Sequence, residues 1–362
     1  MLSPADLARH GVTAEFTHAH RTADRAIEFI RQHRDEDFFL VVSIDEPHHP
    51  FICPEPFASA FENFALPIGP GADDSLADKP QQQRDWARHL ADGVEKSVER
   101  RDGRAVFRHP PYFGCNSYCD HEVGRVLAAI EGTTPGALVV YTGDHGDMCG
   151  AHQLVSKGAA VYDEITRVPL IVRWPGSGAV GGIAPHVVSH IDLVPTFLEF
   201  FGVEVPPVLP GVSLLPAVAD PARRLHEAVF IEFNRYEIDH DGYGAFAPLR
   251  CAVDERYKLA VNLLDTDELY DRAVDPSETR NFLADSAAAA ARDRLHDVVL
   301  GWMGETRDPL RGPHWARRPW RDVSGATWGG PTRPRRFDPE YLPNTLLYAT
   351  AREVDRWCYE RG

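Results

Sequence analysis

Gly143-Asp144-His145-Gly146-Asp147-Met148-Cys149-Gly150-Ala151-His152, with Lys157-Gly158 close behind, follows directly on the apolar run Ala137-Leu138-Val139-Val140-Tyr141-Thr142. A buried strand that ends in Asp-His-Gly places a carboxylate and an imidazole at the carboxyl edge of an α/β sheet, where such sheets bind ligands. Asp144 offers oxygen and His145 neutral nitrogen, a mix suited to a divalent cation of intermediate hardness. Lys157 lies thirteen positions after Asp144, beyond a Gly-containing turn, and can bring a positive charge back to the same edge. Taken alone, Asp-His-Gly also fits an ordinary polar turn after a strand.

The pattern around this stretch alternates strands with helices. Thr22 to Gln32 has apolar positions at helical spacing, with Thr22 as its N-cap. Phe38 to Ile44 is a continuous β-branched and aromatic run, read as a strand buried on both faces. Cys115 to Ile130 reads as a helix feeding the Asp-His-Gly strand, and Val168 to Val172 as the next strand, stopped by Pro175-Gly176. Asp192 is placed to cap an apolar helix, Leu193 to Phe201, that ends at Gly202. Such alternation predicts an α/β fold, a mainly parallel central sheet with helices on both faces. On this reading the segments 38–44, 137–142 and 168–172 are parallel neighbours or near neighbours. Residues 66–84 read as a long surface loop. After about residue 225 come short strands, Ala228 to Phe233, Leu249 to Val253 and Tyr257 to Asn262, then a helix near Ala287 to Trp302. The domain reading is therefore 1–225 for the α/β part, 226–306 for an antiparallel subdomain, and 307–362 for a Trp/Arg/Pro-rich tail.

The chain has 362 residues, 43% hydrophobic and 25% charged, and a formal charge of −16. This composition is that of a globular protein, and the acidity argues against nucleic-acid or anionic-membrane partners. A small anionic substrate remains compatible, since a metal ion and a few cationic side chains reverse the sign locally. The six cysteines include no C-x-x-C pair, so a disulfide framework is not expected, and Cys115 and Cys119 read as packing on one helical face rather than as a metal pair. Met1 to Gly11 has no signal-peptide pattern and no apolar run approaches a bilayer span, so the expected compartment is the cytoplasm. The tail, with Trp315, Trp320, Trp328 and Trp357, is expected to wrap either the domain or a second subunit, the latter giving a homo-oligomer.

The Asp144-His145-Gly146 turn with Gly150-Ala151-His152 and Lys157 resembles the metal and anion site of the sulfatase family, within the alkaline phosphatase superfamily. The resemblance continues through Tyr162 to Gly176 and Ser189-His190-Ile191-Asp192-Leu193-Val194-Pro195-Thr196. Upstream, Pro47-His48-His49-Pro50 is similar to the family's Pro-His-x-Pro segment, and downstream Asp267 to Asp271, Asp275 to Glu278 and Asn281 resemble its C-terminal signature. The resemblance implies the fold above, hydrolysis of a sulfate monoester, and one divalent metal, calcium in first place with manganese or zinc as alternatives. It implies Asp144 and His145 as metal ligands, with Lys157 on the sulfate oxygens and His48 at the anion or leaving group. His145 stands where many sulfatases carry Asn, which also resembles the branch that cleaves phosphonate monoesters and phosphodiesters. His152 fits a structural role better than a catalytic one, and Arg167 and Arg173 fit ion pairs.

The family's nucleophile motif, C-x-P-S-R or S-x-P-S-R, whose first residue becomes formylglycine, does not occur in this sequence. Cys53-Pro54-Glu55-Pro56 has proline one position early and no arginine, and Thr332-Arg333-Pro334-Arg335-Arg336 imitates only the spacing. The expectation is a sulfatase lacking its first catalytic segment, about sixty residues or more, and a third reading follows: an inactive remnant that serves in binding or regulation.

Overall fold

The computed structural model describes residues 11–179, 181–235 and 246–321. The first long helix, α1, is His18–Gln32, one turn longer than its apolar spacing suggests. Its cap is Thr17, not Thr22: the Thr17 hydroxyl accepts from the His20 backbone N–H at 3.2 Å. Glu46 Oε1 accepts two more of the free N–H groups at this end, from His18 and Ala19. Helix α2, Pro110–Thr133, packs along α1, with Ala23, Ala26 and Ile30 against Val126. Cys115 is buried beside Cys53 and Tyr118, as its packing role predicts. Helix α3 is Leu193–Phe200; Asp192 ends the 3-10 turn that leads into it, where its carboxylate bonds Ser189 N–H rather than capping the helix itself.

Strands β1 (Leu66–Pro67), β2 (Val98–Arg101) and β3 (Arg104–Phe107) form a small antiparallel sheet in the order β1-β3-β2. The Asp-His-Gly turn follows β4, Val139–Thr142, which pairs with β5, Leu170–Arg173. This pair is antiparallel, with Val140 opposite Val172, and so corrects the parallel arrangement expected of 137–142 and 168–172. The reason lies in the connection. A parallel crossover is usually carried by a long helix, whereas here the strands are joined by loop with only the one-turn helix Asp163–Thr166 and the 3-10 turn Ala151–Gln153.

The segment 38–44 is also corrected. Phe38, Leu40, Val42 and Ile44 pack onto the α1 and α2 core, while Phe39 and Val41 are 57% and 70% exposed. That is the period of a strand with one face buried, but among the described residues it pairs with no other strand.

The second half is a four-stranded antiparallel meander, β6 (Val229–Arg235), β7 (Phe246–Val253), β8 (Tyr257–Asn262) and β9 (Glu268–Asp271). Helix α4, Ala289–Glu305, covers one face, with Leu295, Val299 and Met303 on Leu259 and Val261. Trp315 is buried in the same layer, and Trp320 donates from Nε1 to Asp267 Oδ2 at 2.7 Å, so the chain packs down as far as Trp320. Trp328, Thr332 and Trp357 lie outside the described residues. The other face of the meander packs on Met148, Leu154 and Tyr162, the chain that follows the Asp-His-Gly turn. No helix among the described residues is long and apolar enough to cross a membrane.

Polar struts cross this second interface. Lys258, 1% exposed, puts Nζ within 2.6 Å of Val161 O, Asp163 Oδ1 and Glu278 Oε1. The expected surface loop 66–84 is partly built in: Lys79 donates to Tyr270 Oη and Glu278 O, and Gln83 bridges Glu268 and Tyr162. Asp74, Lys79 and Gln83 are buried with partners, while Asp73, Ser75, Asp78 and Gln81 stay exposed. Replacing Lys258 by Met leaves the Glu278 carboxylate buried without this counter-ion and takes the nearest cation from Asp163, which keeps Arg272 at 3.6 Å and Arg167 at 3.9 Å. Lys258→Met is expected to lower unfolding free energy by about 3–5 kcal/mol in urea titrations; a loss under about 1 kcal/mol would mark the pair as no more than a surface ion pair.

Candidate active site

Beyond β4 the chain turns sharply at Gly146, whose N–H donates to Ile165 O at 2.8 Å. A Cβ there would fall 1.8 Å from Glu164 O, so only glycine fits. Asp147 then organises the loop. Its Oδ1 accepts from Cys149 N–H at 2.9 Å and from Ser156 N–H at 3.1 Å. Met148 N–H to Ser156 O and Gly150 N–H to Leu154 O, both 2.9 Å, complete the return. The two arms of the loop therefore lie side by side, and Lys157 comes immediately after the residue held by Asp147.

Lys157 Nζ is 3.1 Å from His48 Nε2. His48 Nδ1 is 2.7 Å from His49 O, an acceptor, so that nitrogen carries the proton and Nε2 offers its lone pair to the ammonium. The His49 ring stacks on His48 with centroids 4.3 Å apart. His48 and Lys157, far apart in sequence, are thus brought together.

Asp144 and His145 form a second pair. Asp144 Oδ1 accepts from His145 N–H at 2.9 Å, and His145 Nδ1 donates to Gly146 O at 2.8 Å. His145 Nε2 is left as an acceptor 3.5 Å from Asp144 Oδ2, and the Asp144 side chain is 87% exposed. An open carboxylate facing an imidazole lone pair is the donor chemistry of a divalent-metal site. Among the described residues no third His, Cys, Asp or Glu joins them, so these two side chains fit part of a coordination sphere and do not close one. No hydrogen bond among the described residues joins this pair to His48 and Lys157; the shared loop backbone links them.

His152 is fully buried, stacked on Tyr162 at 3.7 Å and bonded through Nδ1 to Asp74 Oδ2 at 2.7 Å. Burial alone would raise the Asp74 pKa, but His152, the Leu76 N–H and Lys79 outweigh it and hold the carboxyl below its usual value. Arg167 and Arg173 pair with Asp163 and Glu131. Sequence reasoning missed Asp147 and Asp74. The available signal was the Asx-turn habit, a carboxylate accepting from the N–H two residues on, which both show at Cys149 and Leu76.

Comparison with known proteins places these observations. The family description "Sulfatase" matches residues 5–203, and "N-sulphoglucosamine sulphohydrolase, C-terminal" matches residues 150–302. The chain belongs to the sulfatase family. It is 44% identical over 354 residues to the uncharacterized sulfatase YidJ of Escherichia coli K12, covering 96% of this chain and 67% of that protein. It is 26% identical over 313 residues to the multifunctional alkaline phosphatase superfamily protein PehA of Trinickia caryophylli, covering 80% of this chain and 60% of that one. This sequence thus spans about two thirds of the length of these relatives. A solved structure in complex with its substrate D-glucosamine-2-N,6-O-disulfate superposes with a TM-score of 0.66 at 20% identity, covering 81% of this chain and 70% of that one. That likeness carries the fold, the α/β architecture of the alkaline phosphatase superfamily with an antiparallel C-terminal sheet.

A carboxyl depressed in the folded state stabilises the fold at pH above its unfolded pKa and loses that contribution as pH falls through its folded pKa. Asp74 is such a group, so its share is complete at neutral pH and lost progressively below about pH 5. Urea midpoints measured from pH 7 to pH 3 should fall less steeply for Asp74→Asn than for the wild type. Parallel curves would assign acid sensitivity to other carboxyls, such as Asp163 and Asp308, which are also depressed.

Proposed function

We propose that this chain carries the anion- and metal-binding half of a sulfate-monoester hydrolase. The observation that supports this most directly is the Lys157 ammonium held against neutral His48 beside the loop that presents Asp144 and His145. Lys157 keeps its remaining N–H donors for sulfate oxygens, where it offsets charge that grows as the ester bond breaks. His48, when it carries a proton on Nε2, would bind the anion or pass that proton to the departing alcohol oxygen. Asp144 and His145 are the metal ligands, and the ion they hold would draw electron density from the sulfate oxygens. Calcium suits the oxygen-rich site of the family, while the His145 nitrogen extends the range toward manganese or zinc.

His145 itself favours a second reading, cleavage of phosphonate monoesters or phosphodiesters by the same arrangement, and the 26% identity to a multifunctional superfamily member agrees with it. A third reading is an inactive binding remnant. Partners beyond the anionic ester remain those proposed from sequence, including self-association through the tail.

The sequence contains no formylglycine motif, the source of the nucleophile in the family's covalent mechanism. The polypeptide is expected to bind sulfate but to release almost none from 4-nitrophenyl sulfate, with calcium or manganese added. A longer polypeptide in which a C-x-P-S-R segment precedes this sequence should turn over. Asp144→Ala should abolish that activity and Lys157→Ala reduce it on the order of a hundredfold. Robust turnover by the 362-residue chain would mean that its nucleophile is among these residues, and Thr332 would be the first to replace. A phosphonate monoester tested beside the sulfate decides between the two hydrolytic readings.

A further inference from the structure

The loop that delivers Lys157 is strained along much of its length. Cys149, His152, Gln153 and Ser156 have φ of 46°, 53°, 57° and 67°, in the left-handed region that residues with a side chain rarely adopt. So many strained residues in one short loop cost free energy that the loop alone does not recover, and its shape persists only where the surroundings impose it. The two at the ends are held from within, since the Cys149 and Ser156 N–H groups share Asp147 Oδ1. The two at the tip, His152 and Gln153, are held from outside.

Both tip residues are gripped by Asp74. Its Oδ2 lies 2.7 Å from His152 Nδ1, and its backbone carbonyl accepts from Gln153 Nε2. Asp74 is itself fixed: its Oδ1 accepts from Leu76 N–H at 2.9 Å, its N–H donates to Gly71 O at 3.2 Å, and its side chain is 4% exposed. The ring it holds has little room to move. One face is stacked on Tyr162 at 3.7 Å, and a Cβ at Gly71 would lie 3.5 Å from Nε2. Lys157 follows the last strained residue directly, so its position is set by how the tip is held. Among the described residues Asp74 makes no hydrogen bond or ion pair to Lys157 or His48.

We propose that Asp74 is a positioning residue for Lys157. By holding His152 and Gln153 it imposes the left-handed tip, and with it the place where the ammonium meets His48 and the anion. The carboxylate touches neither of these groups and acts only through the loop. This deepens the reading of Lys157 and His48 as the anion site and rests on it.

The test compares wild type, Asp74→Ala, Asp74→Asn and Leu295→Ala as full chains, by crystal structure and by calorimetric titration with inorganic sulfate. Leu295, on α4, is buried in the other core layer, and its truncation lowers stability without touching the loop. In Asp74→Ala, Lys157 Nζ should leave hydrogen-bonding distance of His48 Nε2, and sulfate should bind on the order of tenfold more weakly. Asp74→Asn keeps an acceptor for the His152 ring and should recover most of the affinity. Leu295→Ala should match the wild type in both measurements. The loss caused by Asp74→Ala should vanish when Lys157 is already Ala, because both changes act on one interaction. Lys157 still against His48 in Asp74→Ala overturns the proposal. So does an equal loss of affinity with and without the Lys157 side chain, or the same loss in Leu295→Ala. If the wild type does not bind sulfate, the anion reading fails, and the Lys157 to His48 contact in Asp74→Ala alone decides whether Asp74 positions the lysine.

Discussion

One carboxylate oxygen, Asp147 Oδ1, holds two backbone N–H groups that belong to opposite arms of the loop after β4. Everything distinctive in the site follows from that closure. Without it, Asp144 and His145 would leave the sheet on one arm, and Lys157 would begin the other with no fixed relation to them. A carboxylate accepting two backbone donors is a short, charge-assisted link.

The closure is supported from below. His152, at the tip of the same loop, is pinned by Asp74 and Tyr162, and Tyr162 is tied through Gln83 to Glu268 on β9. The C-terminal meander is therefore the floor on which the loop is set. Buried polar groups connected in this way give a unique geometry only if every member is satisfied. Most members here are, and the His152 Nε2 left unpartnered lies against Gly71, where a Cβ would approach to 3.5 Å.

Sequence patterns revealed the parts of this design that depend on local chemistry. The Asp-His-Gly turn, the pairing of His48 with Lys157 and the antiparallel second half were legible because each rests on a motif or a short-range period. Strand direction was not, because apolar runs such as 137–142 and 168–172 carry no information about which way a neighbour runs. Residues 66–84 misled for a different reason. Lys79, Gln83 and Asp74 look solvent-bound in a list of letters, and only their distant partners, Tyr270, Glu268 and His152, show them to be interior. Asp147 was overlooked because its work is done on backbone groups, which leave no mark on composition.

The extended run 38–44 has a side-chain face that is firmly seated and a backbone that is not engaged. Phe38, Leu40 and Val42 are packed on the helices, yet among the described residues no backbone N–H or C=O of 38–44 makes a hydrogen bond to the rest of the chain. Order of the side chains and protection of the amides are thereby uncoupled. Solvent hydrogen can exchange at these amides without any opening of the core beneath them, and the same free groups, flanked by exposed Phe39 and Val41, give the surface the stickiness of an unblunted sheet edge.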